Sequence, residues 1–298
     1  MEASFVFADI KLARRLGGAE GLSNAEFVTA RAQAFPNSGA QCMELAGTWL
    51  MFDGITSPVT QTFGLGLFEA VTPAHLEQIE GFFQERGAPV YHEVCPLADP
   101  ALLALLNDRG YQPMEYTNDL FCPLRPDDPA RLPKQNIQVR VVAATEQNLW
   151  AQTAASGWEE FAEAADFMLG LAAINVNRPR SHAFLADLEG EPIAAGGLSI
   201  HEGVALLAGA STIPTGRRKG AQSALLDGRL RFAADQGCDL AVMGALPGST
   251  SQRNAERQGF RIAYTRIKWQ LPQPASYKTL PAYSAQSALI SNPEEYPG

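Results

Sequence analysis

The chain has 298 residues, 46% of them hydrophobic and 18% charged, with a net charge of −9. That length suits one large domain or two ordinary ones, and the balance is that of a globular chain rather than a disordered one. The acidic total excludes general nucleic-acid binding, which runs on clustered cations, and no apolar run approaches the roughly 18 residues of a membrane span.

The start, MEASFVFADIKLARR, places Glu2 ahead of any base and has no apolar core followed by small residues, so it is not read as a secretory signal. Cys42, Cys95, Cys122 and Cys238 stand singly in apolar strings such as HEVCPL. That spacing predicts no metal site, only reduced thiols in a cytoplasmic protein.

In chain order, TFGLGLFEAVTP (62–73) reads as a strand and HLEQIEGFFQERG (75–87) as an amphipathic helix closed by Gly. VYHEVCPL (90–97) is a strand ending at a proline corner. LLNDRGYQPMEYTNDLF (105–121) gives a helix end, Gly110-Tyr111, and a β-rich run. Residues 123–136, with four prolines, read as a linker. QVRVVAAT (138–145) is a strand, and Thr145 with Asn148 caps a helix through LWAQTAASGWEEFAEA. SHAFLADL and PIAAGGLSI form a hairpin turning at Glu189-Gly190, and His201-Glu202-Gly203 turns into a strand at 204–214. A long helix closed by Gly237, a strand at 240–247, Gly259-Phe260 and a final strand follow. Residues 272–298 are a Pro-, Ser- and Tyr-rich tail.

Strand, helix, strand, then a helix ended by Gly and an aromatic thus occur twice, which predicts two domains of similar α/β fold, 1–122 and 137–271. The copies differ at one place. Fourteen positions separate Pro73 from Gly87, whereas twenty-three separate Pro214 from Gly237. The additional nine are assigned to Thr215–Ser223, in TIPTGRRKGAQSALL. Amides at a helix start lack intrahelical partners and lie at the positive end of its dipole, so a Gly-containing turn there makes an anion seat. Arg217, Arg218 and Lys219 add charge around it, while Gly220 and Ala221 permit close approach. Neither G-x-x-x-x-G-K-[ST] nor G-x-G-x-x-G is present, so nucleotide-loop and dinucleotide readings fail.

The strand LLAGAST, the turn IPTGRRKGAQSALL, the strand LAVMGAL and the end SQRNAERQGF resemble the GCN5-related N-acetyltransferase (GNAT) family. The likeness covers roughly 137–270, and the first domain resembles the same fold in degenerate form, giving two tandem domains, each a mixed sheet flanked by helices. The family's pyrophosphate motif falls on Arg217, Gly220 and Gln222, Gln being a departure from its last position. The resemblance implies that acetyl-CoA, or another acyl-CoA, is the cosubstrate, with its pyrophosphate on the amides of Arg218 to Ser223. Its pantetheine arm would pair with Ala210, Ser211, Thr212 and Ile213, and Ser249 to Asn254 would face that arm.

The resemblance implies acetyl transfer to an amine of a small molecule or peptide, direct because no Cys stands in the motif. A strand amide near Ala210–Thr212 would serve the oxyanion. Many family members place a proton-donating Tyr where this chain has Ala255; Tyr264 and Ser251 are the weak substitutes. Glu159, Glu160, Glu163 and Asp166 are candidates for a base or amine anchor, and Trp158 and Phe161 for pocket walls, although such carboxylates more often face solvent and such aromatics more often pack in a core. His75, His92, His182 and His201 show no triad spacing. The alternative is a non-catalytic CoA-binding sensor or assembly module. Neither the acceptor nor the oligomeric state is written in the sequence.

Overall fold

The two halves meet at the middle of one sheet, where their last strands have changed places. The computed structural model describes residues 6–125, 136–158, 162–175 and 177–272. In the first half, helix α1 (Ile10–Ala34) precedes β1 (Gln41–Leu45), β2 (Thr48–Phe52) and β3 (Gln61–Phe63). Helix α2 (Pro73–Gln84), β4 (Tyr91–Val94), α3 (Ala101–Asp108) and β5 (Gln112–Pro123) follow. In the second half come β6 (Ile137–Val141), α4 (Gln147–Ser156), α5 (Ala162–Asn175), β7 (Ser181–Leu188) and β8 (Glu191–His201). Then follow β9 (Val204–Thr212), α6 (Ala221–Asp235), β10 (Leu240–Ala245), α7 (Thr250–Arg257) and β11 (Arg261–Gln270).

The strands lie in the order β1-β2-β3-β4-β11-β5-β10-β9-β8-β7-β6. The parallel pairs β3–β4 and β9–β10 are the repeated units. Beside β10, however, lies β5 of the first half, and beside β4 lies β11 of the second. The two exchanged strands pair antiparallel with each other, Arg266 opposite Thr117. The two expected central sheets are therefore joined into one, with no open edge where they meet.

The cores confirm the exchange. Leu120 and Cys122 of β5 pack with Leu225, Leu230 and Phe260, while Trp269 of β11 packs with Leu76, Ile79, Phe83 and Leu106. At about 1.5–3 kcal/mol for each large buried side chain, neither half keeps a complete core without the other's last strand.

Helix α1, which the sequence pattern did not reveal, lies across the opposite face and touches both halves. Asp9 caps it by accepting from the Leu12 N–H at 2.9 Å, and Ser23 Oγ meets Ser199 Oγ at 2.9 Å. Its glycines mark close approach: a Cβ at Gly17 would stand 2.9 Å from Leu67, and one at Gly21 2.8 Å from Trp49.

Three expectations change. The strand expected over 62–73 is only Gln61–Phe63, because Gly64 (φ 82°) and Gly66 (φ 69°) turn the chain and send Leu65 and Leu67 inward. The single helix expected beyond Asn148 is two, α4 and α5; Thr145 lies in a short 3₁₀ turn, and Glu146 rather than Thr145 takes the Ala143 N–H. The linker starts later than 123, since β5 runs through Pro123 and the Leu124 N–H donates to Asp239 O at 2.9 Å. The rest of the linker, 126–135, and the tail from 273 lie outside the described residues. The hairpin turn at Glu189-Gly190 is as expected, both residues at positive φ.

Candidate active site: a cleft between two parting strands

Strands β9 and β10 pair only from Val204 with Leu240 to Leu206 with Val242, and then part. A bulge in β9 bends it away. Between the pairs Gly197–Ala208 and Ala195–Ser211, Gly209 and Ala210 oppose the single Gly196, with Gly209 at φ 61°. Two donors hold the bulge: Trp150 Nε1 donates to Gly196 O at 3.1 Å, and Arg229 Nη1 to Gly197 O at 3.0 Å. The end of β9 is seated on α4, where Ser211 Oγ donates to Ala154 O at 2.9 Å. A Cβ at Gly157 would come within 2.5 Å of that hydroxyl.

The parting leaves a cleft of about 300 Å³. The β9 backbone beyond Leu206 forms one wall, no longer paired to β10, and α6 and α7 form the other. At its mouth Arg218 (φ 62°) and Gly220 (φ 86°) both take left-handed conformations, which folds the turn tightly onto the first residue of α6. The first N–H to bond back into this helix start is that of Ala224, to Gly220 O at 3.0 Å. The amides of Ala221 and Gln222 precede it where a helix offers no acceptor, and Gly220 at the N-cap has no side chain to cap them. Gln222 Nε2 donates to Thr212 Oγ1 at 2.7 Å and Gln258 Nε2 to Ser223 Oγ at 2.5 Å, tying the turn to β9 and α7.

Arg217, Arg218, Arg229 and Arg257 line the cleft, and no carboxylate, imidazole or cysteine does among the described residues. Burial pulls the Arg229 guanidinium down to about 10, still far above neutrality, so it is a cation at any working pH. The helix start with Arg217 and Arg218 beside it fits a polyanion.

Of the residues predicted from the sequence, Ala210, Thr212, Arg217, Arg218, Gly220, Ala221, Gln222, Ser223 and Asn254 line this cleft, as does Ser251. Four others do not. Ser211 turns its hydroxyl to α4, Ile213 packs on the core, Lys219 is exposed, and Ser249 caps α7 by accepting from the Gln252 N–H. Ala255 stands in the cleft wall, 1% exposed.

Tyr264 is corrected. It lies in a second cavity of about 20 Å³ with Gly64, Leu67, Glu93, Cys95 and Asp119, at the position where β3 and β4 part. Burial pushes the Tyr264 phenol well above 10 and the Cys95 thiol up to about 11. The second cavity is the counterpart of the large cleft, closed by Leu67 and by α1.

Trp158 is also corrected, being fully buried with Trp150 and Ala154 instead of lining a pocket. Asp166 is exposed on α5; Glu159, Glu160 and Phe161 and the side chain of Glu163 lie outside the described residues. His75 completes the cap of α2, His92 is buried against Tyr111, His182 packs at a tilt against Phe232, and His201 faces Glu26. Arg229 was missed, because on the sequence it reads as one more solvated charge of a helix.

Among the described residues no three His, Cys, Asp or Glu side chains gather as metal ligands, and no helix is long and apolar enough to cross a membrane.

Residues 145–260 match the model of the acetyltransferase (GNAT) family. Among solved structures, a GCN5-related N-acetyltransferase from Kribbella flavida superposes with a TM-score of 0.60 at 21% identity, over 85% of this chain and 96% of its own. A tandem GNAT protein from the clavulanic acid biosynthesis pathway gives 0.55 at 12%, over 85% and 96%. A GCN5-related N-acetyltransferase from Sphaerobacter thermophilus gives 0.54 at 13%, over 90% and 96%. No curated protein matches in sequence. At these identities the structures speak for the fold, and they do so across both halves. The family model covers β9, the turn, α6, β10 and α7, which together build the cleft, and residues 145–260 are a domain of the acetyltransferase (GNAT) family.

Proposed function

We propose that the protein is an acyl-CoA-dependent N-acyltransferase that moves an acetyl group from acetyl-CoA directly to a primary amine of a small molecule or peptide. The observation that carries this reading is the cleft itself: a helix start without a side-chain cap, flanked by Arg217 and Arg218, with no acid among the described lining residues, where two strands part. The amides of Ala221, Gln222 and Ser223 would hold the pyrophosphate, with Arg217 and Arg218 flanking it. The unpaired β9 backbone would take the pantetheine amides as an added strand does. An N–H of the unpaired β9 backbone would donate to the oxyanion.

With no cysteine in the lining among the described residues, the amine attacks the thioester carbon directly and the CoA sulfur leaves as thiolate. Ala255 offers it no proton, and a thiol with a pKa of about 8.5 leaves without one. The first half, whose corresponding cavity is nearly closed, shapes the second half through the exchanged strand and α1. The domain limits we assign are 1–124 and 137–271, the first extended to the end of β5 and its bond to Asp239. The four free cysteines, Cys42 and three buried ones, suit a reducing cytoplasm.

No base lines the cleft among the described residues. In this reading the amine arrives deprotonated, and kcat/KM is expected to rise about tenfold per pH unit below the acceptor's own pKa, about 10.4 for a lysine-like amine. A plateau reached two units earlier would show a protein base instead. The same missing acid and base favour the second reading, a CoA sensor without turnover. Thiol release from acetyl-CoA across an amine panel separates the two, since a sensor binds CoA and releases none.

A further inference from the structure

Arg229 is a cation placed in the cleft without an anion. Its side chain is nearly fully buried, 3% exposed, and runs back along α6, Nε to Leu225 O at 3.4 Å and Nη1 to Gly197 O at 3.0 Å. Both partners are backbone carbonyls. No carboxylate pairs with it among the described residues, and none lines the cleft. The other two fully buried cations among the described residues have acids: Arg266 has three, and Lys268 has Glu93. A buried cation left so is costly unless a ligand supplies the counter-charge.

Its depth says which part of a ligand it meets. Ser223, Leu226 and Arg229 follow at helical spacing along one wall. Gln222 marks the level of Thr212 on the opposite wall, and Arg229 marks the level of Ala208, the partner of Gly197. Those levels are four residues of strand apart, roughly 13 Å at about 3.3 Å per residue. The guanidinium therefore lies beyond a pyrophosphate seated on the helix start, at the end where the thioester would lie.

We propose that Arg229 receives a carboxylate presented at the thioester end of the cleft, so that the protein selects a substrate bearing one. This rests on the CoA reading above. The carboxylate is carried either by a dicarboxylic acyl group, of the malonyl or succinyl class, or by the amine acceptor. The acyl transfer balances as before: the amine nitrogen bonds the carbonyl carbon, the C–S bond breaks, and the electron pair leaves on sulfur. Arg229 touches only the carboxylate.

Calorimetric titration of the whole protein with CoA, acetyl-CoA and succinyl-CoA is the first arm, and kcat/KM for amino acids against their amides, with acetyl-CoA as donor, is the second. The expected result is at least a tenfold preference for the carboxylate-bearing member in one arm, which also identifies its source. Arg229→Met is expected to bring that ratio near one while the Kd for CoA moves less than about twofold. Arg229→Gln keeps a donor for Gly197 O without the charge and is expected to lose the preference equally; a Gln variant that retains it overturns the proposal. Absence of preference in both arms with the wild-type protein also overturns it, whether or not the variants fold. CoA that binds without selectivity leaves the cofactor reading standing, whereas CoA that fails to bind removes both.

Discussion

An Arg266→Met variant is expected to lose about 3–5 kcal/mol of unfolding free energy, read as a lowered urea midpoint at unchanged slope. Arg266 lies on the exchanged strand β11, its side chain 7% exposed, and pairs with Glu20 of α1, with Glu93 of β4 at 3.1 Å and with Asp119 of β5 at 3.2 Å. One guanidinium thus joins the N-terminal helix, the first half's parallel pair and both exchanged strands. Removing it leaves two buried carboxylates, Glu93 and Asp119, and the partly buried Glu20, with Lys268 3.8 Å from Glu93. Methionine keeps much of the volume, so the loss reports charge and not a cavity.

The pH dependence has a definite sign. Burial, more than the opposing pull of Arg266, raises the Asp119 carboxyl to about 7, against roughly 3.9 in an unfolded chain. Between those values the folded state holds a proton that the unfolded state has released, so this group's contribution to stability falls as pH rises through the window. Without Arg266 the ionised Asp119 is costlier still. The gap between wild type and variant is therefore expected to widen from pH 5 to pH 8. A gap that stays constant or narrows would show that Asp119 is not governed by this cation.

The segments that build the cleft were legible in the sequence because their signals are local. A strand, a Gly- and Arg-rich turn at a helix start, and Gly259-Phe260 after a helix each follow from backbone preferences of a few residues. The nine-residue difference between the copies located the seat, and Gly220 and Gln222 are found there. The strand exchange was not legible. The runs 112–123 and 261–270 each present one apolar face, and alternation fixes which side chains point inward but not which neighbour receives the strand. Helix α1 was hidden for a related reason. It buries residues on several sides against both halves, so its apolar positions make no single stripe, and Gly17, Gly18 and Gly21 read as helix breakers although two of them are needed for contact with Leu67 and Trp49. Tyr264 and Arg229 show the same limit on single side chains. Each lies where tertiary packing, not spacing, decides whether it meets the cleft.

Replacing Gly220 with glutamate is expected to weaken CoA binding at least about 100-fold, close to 2.8 kcal/mol at 1.4 kcal/mol per decade, while leaving the protein folded. The position separates the two effects. A Cβ on Gly220 meets nothing within 4 Å, so the side chain enters open space at the mouth of the cleft. The fold pays only for a non-glycine residue at φ 86°, about 1 kcal/mol, partly offset because a carboxylate at a helix start is favoured by the dipole. That same carboxylate stands where the amides of Ala221 to Ser223 would receive a phosphate, and it repels one. Gly220→Asn tolerates the left-handed backbone without the charge and is expected to bind CoA within about threefold of wild type. Arg217→Ala, which removes a flanking cation but leaves the amides, is expected to fall between them, about tenfold weaker. The measurement is calorimetric titration of each variant with CoA, beside its melting temperature. If the glutamate variant binds as wild type does, the pyrophosphate is not seated on α6. If the asparagine variant loses binding as fully as the glutamate one, backbone conformation and not charge controls the seat.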